Sequence, residues 1–358
     1  MTSHNRGFDL NRPSALIAAL PAILGFTPEK SLVLVSIEGG EVGAVMRVDL
    51  SADRSEVIGG LGPLAEVAAA AQPDAVIAVI VDADGAACPM CNEEHRSLSE
   101  DLTDALEEHG VELWAVHVVD HVGAGGRWHC VDGCGARGHV DDPTASPLAA
   151  AAVLGGRRLY SSRAELQAVI ATEARQEIDG VATLADTIAM LRADQQGLRR
   201  EDPEGCARRD VRAVLAAAAR VAGGAALADD ELAQLGSALT DVTVRDTLYA
   251  LAVGEIAAEA EMLWAVLARR LPGRWRVEPL VLLAFSAYAR GDGPLAGVAL
   301  EAALQCDPAH RMAGMLDDAL RSGMRPEQIR ELAATGYRLA EELGVRLPPR
   351  RPFDQRAC

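Results

Sequence analysis

Two almost wholly apolar runs, Asp74 to Val81 and Val111 to Val119, bracket a segment with helical spacing near residues 97–109. Strands without a polar face must be covered on both sides, and two such strands joined through a helix run parallel. This β-α-β unit restricts the N-terminal part of the chain to an α/β fold with a mixed, partly parallel sheet. Ser31 to Ile37 is a further buried-strand run, Glu38-Gly39-Gly40-Glu41 a hairpin turn into Val42 to Leu50, and residues 53–70 a helix. Asn11 and Pro13 start an earlier helix that carries Leu16, Leu20, Ile23 and Leu24 on one face and stops at Gly25. After the turn Gly123-Ala124-Gly125-Gly126, Arg127 to Val131 is expected to return antiparallel.

From about residue 163 the strand signals stop, and alanine-rich helical segments separated by Gly, Pro and Asp run to about residue 343. In the clearest piece, counted from Val277, Leu280, Leu283, Ala284, Ala287, Ala296, Leu300, Ala303 and Pro308 fall where a tetratricopeptide repeat sets its large and small residues. Gly291-Asp292-Gly293 would make the turn of that hairpin. A second repeat over 310–342 is blurred, and an independent solenoid needs at least three. The expected organisation is an α/β domain over 1–162, an all-α tetratricopeptide-like helical domain over 163–343, and a flexible basic tail over 344–358.

Charge and composition exclude several functions. The formal charge of −18 repels phosphate backbones, and no basic stripe is interleaved with aromatics, so nucleic acid is not an expected partner. No uncharged apolar stretch approaches the roughly 20 residues that cross a bilayer. Ser14 to Phe26 is apolar enough for a leader, but Asp9 precedes it, Pro21 interrupts it and no small-residue cleavage site follows, so an amphipathic helix is the better reading. Seven cysteines without a secretory signal point to a reducing cytoplasm. Lys30 is the only lysine among 34 basic residues, an arginine bias typical of GC-rich coding. Its context, Thr27-Pro28-Glu29-Lys30-Ser31, forms no Walker loop, and no G-x-S-x-G elbow is present. Gly133, Gly135 and Gly138 satisfy G-x-G-x-x-G, but His139-Val140-Asp141-Asp142-Pro143 stands where the dinucleotide-binding helix should begin.

At this point the chain resembles a known family. "LGFTPEKSLVLV" followed by "RVDL", "WHCVDGC", "SPLAAAAVLGGRRLYSSRAEL", "VRDTLYALA" and "GDGPLAGVALEAALQCDPAHRMAGMLDDAL" together are similar to the actinobacterial family catalogued as domain of unknown function 4192. The resemblance spans nearly the whole chain. It implies an intracellular actinobacterial protein but brings no activity, cofactor or catalytic residue with it. The Cys130 and Cys134 loop belongs to the resemblance, whereas Cys88-Pro89-Met90-Cys91 does not.

Three sets of residues could carry chemistry. Cys88, Cys91, Cys130 and Cys134 supply the four ligands of a structural zinc, with His95, His129 or His139 as substitutes for one thiolate. Their pairs are C-x-x-C and C-x-x-x-C, and Cys130 would lie roughly 10 Å below the sheet edge that carries Cys88, at about 3.3 Å per residue. The same cysteines could be unremarkable thiols. A redox dithiol ranks third, because that chemistry wants C-x-x-C to open a helix, and Asn92, Glu93 and Glu94 stand between Cys91 and the expected helix.

Asp82, Asp84, Asp120 and His121 gather at the carboxyl ends of the parallel strands, where open α/β sheets bind ligands, although acids there commonly cap turns. Arg47 and Asp49 share a strand face as a solvated charge pair or a polar site. His117 is expected to be buried and hydrogen-bonded, and Met312, Met315 and Met324 to pack between helices. The leading expectation is a cytoplasmic protein that binds a partner protein. The alternative is an enzyme, a metal-assisted hydrolase using Asp82, Asp120 and His121.

Overall fold

Glycine and proline set most element boundaries in the computed structural model, which describes residues 12–51, 53–70, 72–131, 133–154, 158–173 and 183–351. Helix α1 (Pro13–Leu24) starts on a proline, whose missing N–H costs nothing in a first turn, and stops at Gly25 with φ 75°. Strands β1 (Ser31–Glu38) and β2 (Glu41–Asp49) are joined through Gly39 and Gly40, at φ 60° and 80°. Two consecutive left-handed residues match the twist of a hairpin, and only glycine adopts them freely. Asp53 caps α2 (Arg54–Ala69), and the fully buried β3 (Ala75–Val81) follows. Next come α3 (Pro89–Glu107), β4 (Leu113–Val119), β5 (Arg127–Cys130) and β6 (Arg137–His139).

The strands form one sheet in the order β2-β1-β3-β4-β5-β6. Only β3 and β4 are parallel, and the other neighbours are antiparallel. The first half of the chain is thus an α/β unit with a mixed sheet. Because side chains alternate along a strand, each face has its own set of residues. Leu32, Leu34, Val76, Ala78, Ile80, Val116 and Val118 pack against Val57, Leu61 and Leu64 of α2 and Leu98, Leu102 and Leu106 of α3. Burying each such side chain contributes about 1.5–3 kcal/mol. The opposite face carries Val33, Val79, His117, Trp128 and Cys130, and there the Trp128 indole donates to Ser14 Oγ of α1 at 3.0 Å. Helix α4 (Pro147–Leu154) packs on α1.

The glycine fingerprint serves this sheet rather than a dinucleotide. Gly133 and Gly135, at φ 74° and 81°, lie in the turn between β5 and β6, and a Cβ on Gly138 would stand 3.0 Å from the Trp128 ring.

The chain divides into two units, Met1–Glu165 and Leu166–Cys358, so the division falls inside the short helix α5 (Arg163–Ala168). The second unit is helical: α6 (Leu184–Glu201), α7 (Pro203–Ala222), α8 (Asp229–Ala238), α9 (Val242–Leu248), α10 (Ala257–Arg270), α11 (Val277–Arg290), α12 (Gly293–Cys306), α13 (Arg311–Arg321) and α14 (Pro326–Glu342). Helices α11 and α12 form a hairpin turned at Gly291, φ 84°, with buried Asp292 accepting from the Leu295 N–H at 3.2 Å. Leu280, Ala284, Ala287, Ala296, Leu300 and Ala303 are buried along it. Met315 and Met324 are 54% and 39% exposed, so they do not pack as the sequence led us to expect.

The expected flexible tail also needs correction over its described part. Val345 and Leu347 are buried, Tyr337 donates to the Pro348 carbonyl at 3.0 Å, and Arg350 bridges Gly254. Apolar side chains and backbone pairing hold residues 344–351 on the helical unit, whereas 352–358 lie outside the described residues. No described helix is long and apolar enough to cross a membrane.

Candidate active site

Helix α3 begins at Pro89, eight residues before the segment near 97–109 that its helical spacing marks. Ser97 and Glu100 imitate a capping box in the sequence, but Pro89 occupies the first turn and Cys88 is the N-cap. The C-x-x-C pair therefore opens the helix, and Glu93 and Glu94 lie within it. The premise that ranked redox chemistry third fails at this point.

Cys88 and Cys91 are both half-buried free thiols, and Met90 between them is 77% exposed. The Cys88 side chain closes no cap hydrogen bond. Its sulfur instead lies in the field of the Cys91 and Met90 N–H groups, and with the Cys91 thiol as donor these hold it below the usual thiol range, against opposition from Glu94. Cys91 moves the other way. Its thiol is pushed up by its bond to Cys88, by burial and by the charges of Glu94 and Asp82.

Beneath the pair lies a polar cluster built from three elements. Asp82 follows β3, and its N–H donates to Val119 of β4 at 3.0 Å. Its Oδ1 accepts from Lys30 Nζ at 2.8 Å, and its Oδ2 is 3.1 Å from His95 Nε2. Burial pushes the Asp82 carboxyl up, but Lys30 and the Gly85 N–H outweigh it and hold the group below the usual carboxylate range. His95 is 7% exposed, and its Nδ1 is buried without a hydrogen-bond partner. Since an ionised carboxylate only accepts, the imidazole proton belongs on Nε2.

Lys30 also reaches Asp84 at 3.0 Å, and these carboxylates raise its pKa. Its φ of 42° is one that lysine adopts only at a cost of about 1–3 kcal/mol. The Lys30 carbonyl is fixed by the Leu50 N–H at 2.8 Å, which holds that conformation at the entry to β1. Gly85 leaves room for the cluster. A Cβ there would stand 2.1 Å from Asp82 Oδ2 and 2.9 Å from His95 Cε1.

The four cysteines do not come together as a zinc site. Cys91 sits on the side of the sheet covered by α3, and His129 faces that side too, donating to Asn92 Oδ1 at 2.9 Å. Its neighbour Cys130 alternates to the opposite face, pairs with His117 in register, and has Sγ 3.5 Å from His117 Nδ1. Cys134 is exposed beyond β5. Among the described residues, no group of three or more His, Cys, Asp and Glu side chains is arranged to hold a metal ion. A strand's two-residue period is what separates the pairs, whatever the length of the loop that precedes α3. His117 is 5% exposed and meets Trp128 edge to face at 5.3 Å.

The remaining expected residues make their bonds with one another and with other partners rather than with Asp82. The Asp120 carboxylate accepts from the N–H groups of His121 and Arg127, at 2.7 and 2.8 Å, and from Arg127 Nε at 3.1 Å. It caps the turn into β5, and these donors hold it below the usual range although burial opposes them. His121 is exposed beside it, with Nδ1 2.8 Å from Asp120 Oδ1. Arg47 is not solvated. Its side chain is 10% exposed, bonds Asp49, donates to Ser31 Oγ at 2.8 Å and lies over the Phe26 ring.

Lys30 and His95 are the members of the cluster that sequence reading did not assemble with Asp82. The signal was present in Cys91 and His95, four residues apart on one helix face, but it becomes visible only when α3 starts at Pro89.

No curated protein and no solved structure matches the chain. Over residues 13–327 it matches the family model described as Domain of unknown function (DUF4192), and the chain accordingly belongs to that family.

Proposed function

We propose that the α/β unit carries out thiol–disulfide exchange through Cys88 and Cys91. The observation that carries this reading is the position of the pair: Cys88 occupies the N-cap position of α3, and Cys91 lies in its first turn. Backbone N–H groups favour the thiolate at Cys88, and Cys91 stays protonated beside it. The two thiols thus have different tasks.

The Cys88 thiolate attacks a substrate disulfide R–S–S–R′, forming Cys88–S–S–R and expelling R′–S⁻. Cys91, as thiolate, then attacks Cys88 Sγ and expels R–S⁻. The dithiol is oxidised to one disulfide, and the substrate disulfide is reduced to two thiols. The reverse sequence oxidises a dithiol, and the relative potentials set the direction. A disulfide-bearing or dithiol protein client also meets the sequence expectation of a partner protein.

Titrating the reduced full chain with oxidised glutathione tests the reading. The expected result is two glutathione thiols released per chain and a Cys88–Cys91 disulfide in the peptide map. A chain that releases none, or that ends with glutathione bound only at Cys134, contradicts it.

A further inference from the structure

We infer that His95 is the proton acceptor for Cys91 in the second half of this exchange, with Asp82 as the residue that positions and charge-stabilises its imidazole. The inference rests on the exchange reading above and adds an acid–base residue to it. Cys91 must lose its proton before it can attack the mixed disulfide at Cys88. A base for that proton has to lie close by, carry a free lone pair and be held in one tautomer.

His95 has the free lone pair and the fixed tautomer, and it shares a helix face with Cys91. It lies four residues after Cys91 on α3, a spacing that sets Cβ atoms about 5–6 Å apart on one face. Its Nε2 is tied to Asp82 Oδ2 at 3.1 Å, which leaves Nδ1 as the lone-pair nitrogen. That Nδ1 is buried and has no hydrogen-bond partner in the resting structure, Cys91 Sγ included, so the Cys91 side chain must turn toward it for the transfer. Leaving such an atom unsatisfied is costly, so a buried histidine with a vacant nitrogen calls for a use. Asp82 is itself 9% exposed and oriented by Lys30 at 2.8 Å, so it can stabilise an imidazolium without moving.

The proton passes from Cys91 Sγ to His95 Nδ1, the Cys91 thiolate forms the bond to Cys88 Sγ, and R–S⁻ departs and takes up the proton. The charged and titratable groups around His95 are Asp82 and Lys30 from the strand ends, His129 from β5, and Cys91 and Glu94 from α3 itself.

Acid-quenched rapid mixing of the reduced full chain with oxidised glutathione, across pH, tests this. His95→Gln is expected to form the mixed disulfide at Cys88 at the wild-type rate and to resolve it about a hundredfold more slowly, the lower end of what a general base contributes. Its resolution rate should rise tenfold per pH unit, following hydroxide, where the wild-type rate is flat. Asp82→Asn should give a smaller loss with the same steepened profile. If His95→Gln does not fold, the flat wild-type profile and the Asp82→Asn change decide the matter. Wild-type resolution that simply follows hydroxide, or variants with unchanged profiles, overturns the role of His95. A Cys91→Ser chain that never forms the mixed disulfide overturns instead the exchange reading on which it rests.

Discussion

Asp82 is a buried carboxylate whose ionisation is maintained by its neighbours, and the sign of its contribution to stability follows from that. Its folded pKa lies below the unfolded value of about 3.9. The stabilisation is therefore present at neutral pH and is lost as pH falls through the folded value. Asp82→Asn should remove that part of the acid-unfolding transition, measured by circular dichroism against pH, and so flatten the curve below about pH 4 while leaving its slope near neutrality unchanged. Gly85 gives a steric counterpart. Its Cβ would overlap Asp82 Oδ2 at 2.1 Å, so Gly85→Ala should destabilise the chain by about 1–3 kcal/mol in denaturant melts, as overpacking does. An alanine variant as stable as the parent would mean that the cluster is looser than its distances indicate.

The opening of α3 is the element on which the functional reading turns, and it shows what the sequence could convey. The parallel pair β3 and β4 was legible because apolar runs covered on both faces have few alternatives. The hairpin at Gly39-Gly40 and the α11–α12 turn were legible because glycine supplies conformations that other residues avoid. The start of α3 was obscured by Ser97 and Glu100, which satisfy a capping pattern inside a longer helix. The separation of the two cysteine pairs was obscured because sequence distance ignores strand alternation, which sends His129 and Cys130 to opposite faces. The partnership of Lys30, Asp82 and His95 is long-range, and nothing local encodes it. At this scale, Glu94 opposes the Cys88 thiolate that the helix N-terminus favours. Glu94→Gln should shift the pH profile of Cys88 alkylation by iodoacetamide to lower pH. A shift to higher pH would contradict the electrostatic account of the site.

Across the whole molecule, the sheet of the first unit assigns the cysteines to different surroundings. The α3 side holds an accessible, electrostatically unequal pair, and the opposite side holds Cys130 against His117. A shared zinc would require the two sides to meet. The chain purified without a metal-binding tag is accordingly expected to contain well under one zinc per molecule by elemental analysis, and its melting temperature should not change with a chelator. The central claim, that Cys88 is the attacking thiol and Cys91 the resolving one, is tested most directly by peptide mapping of Cys91→Ser after exposure to oxidised glutathione. One glutathione should be trapped at Cys88 and persist, where the parent chain passes on to the Cys88–Cys91 disulfide. A variant that stays unmodified at Cys88, or a parent chain that retains glutathione there, would contradict the claim.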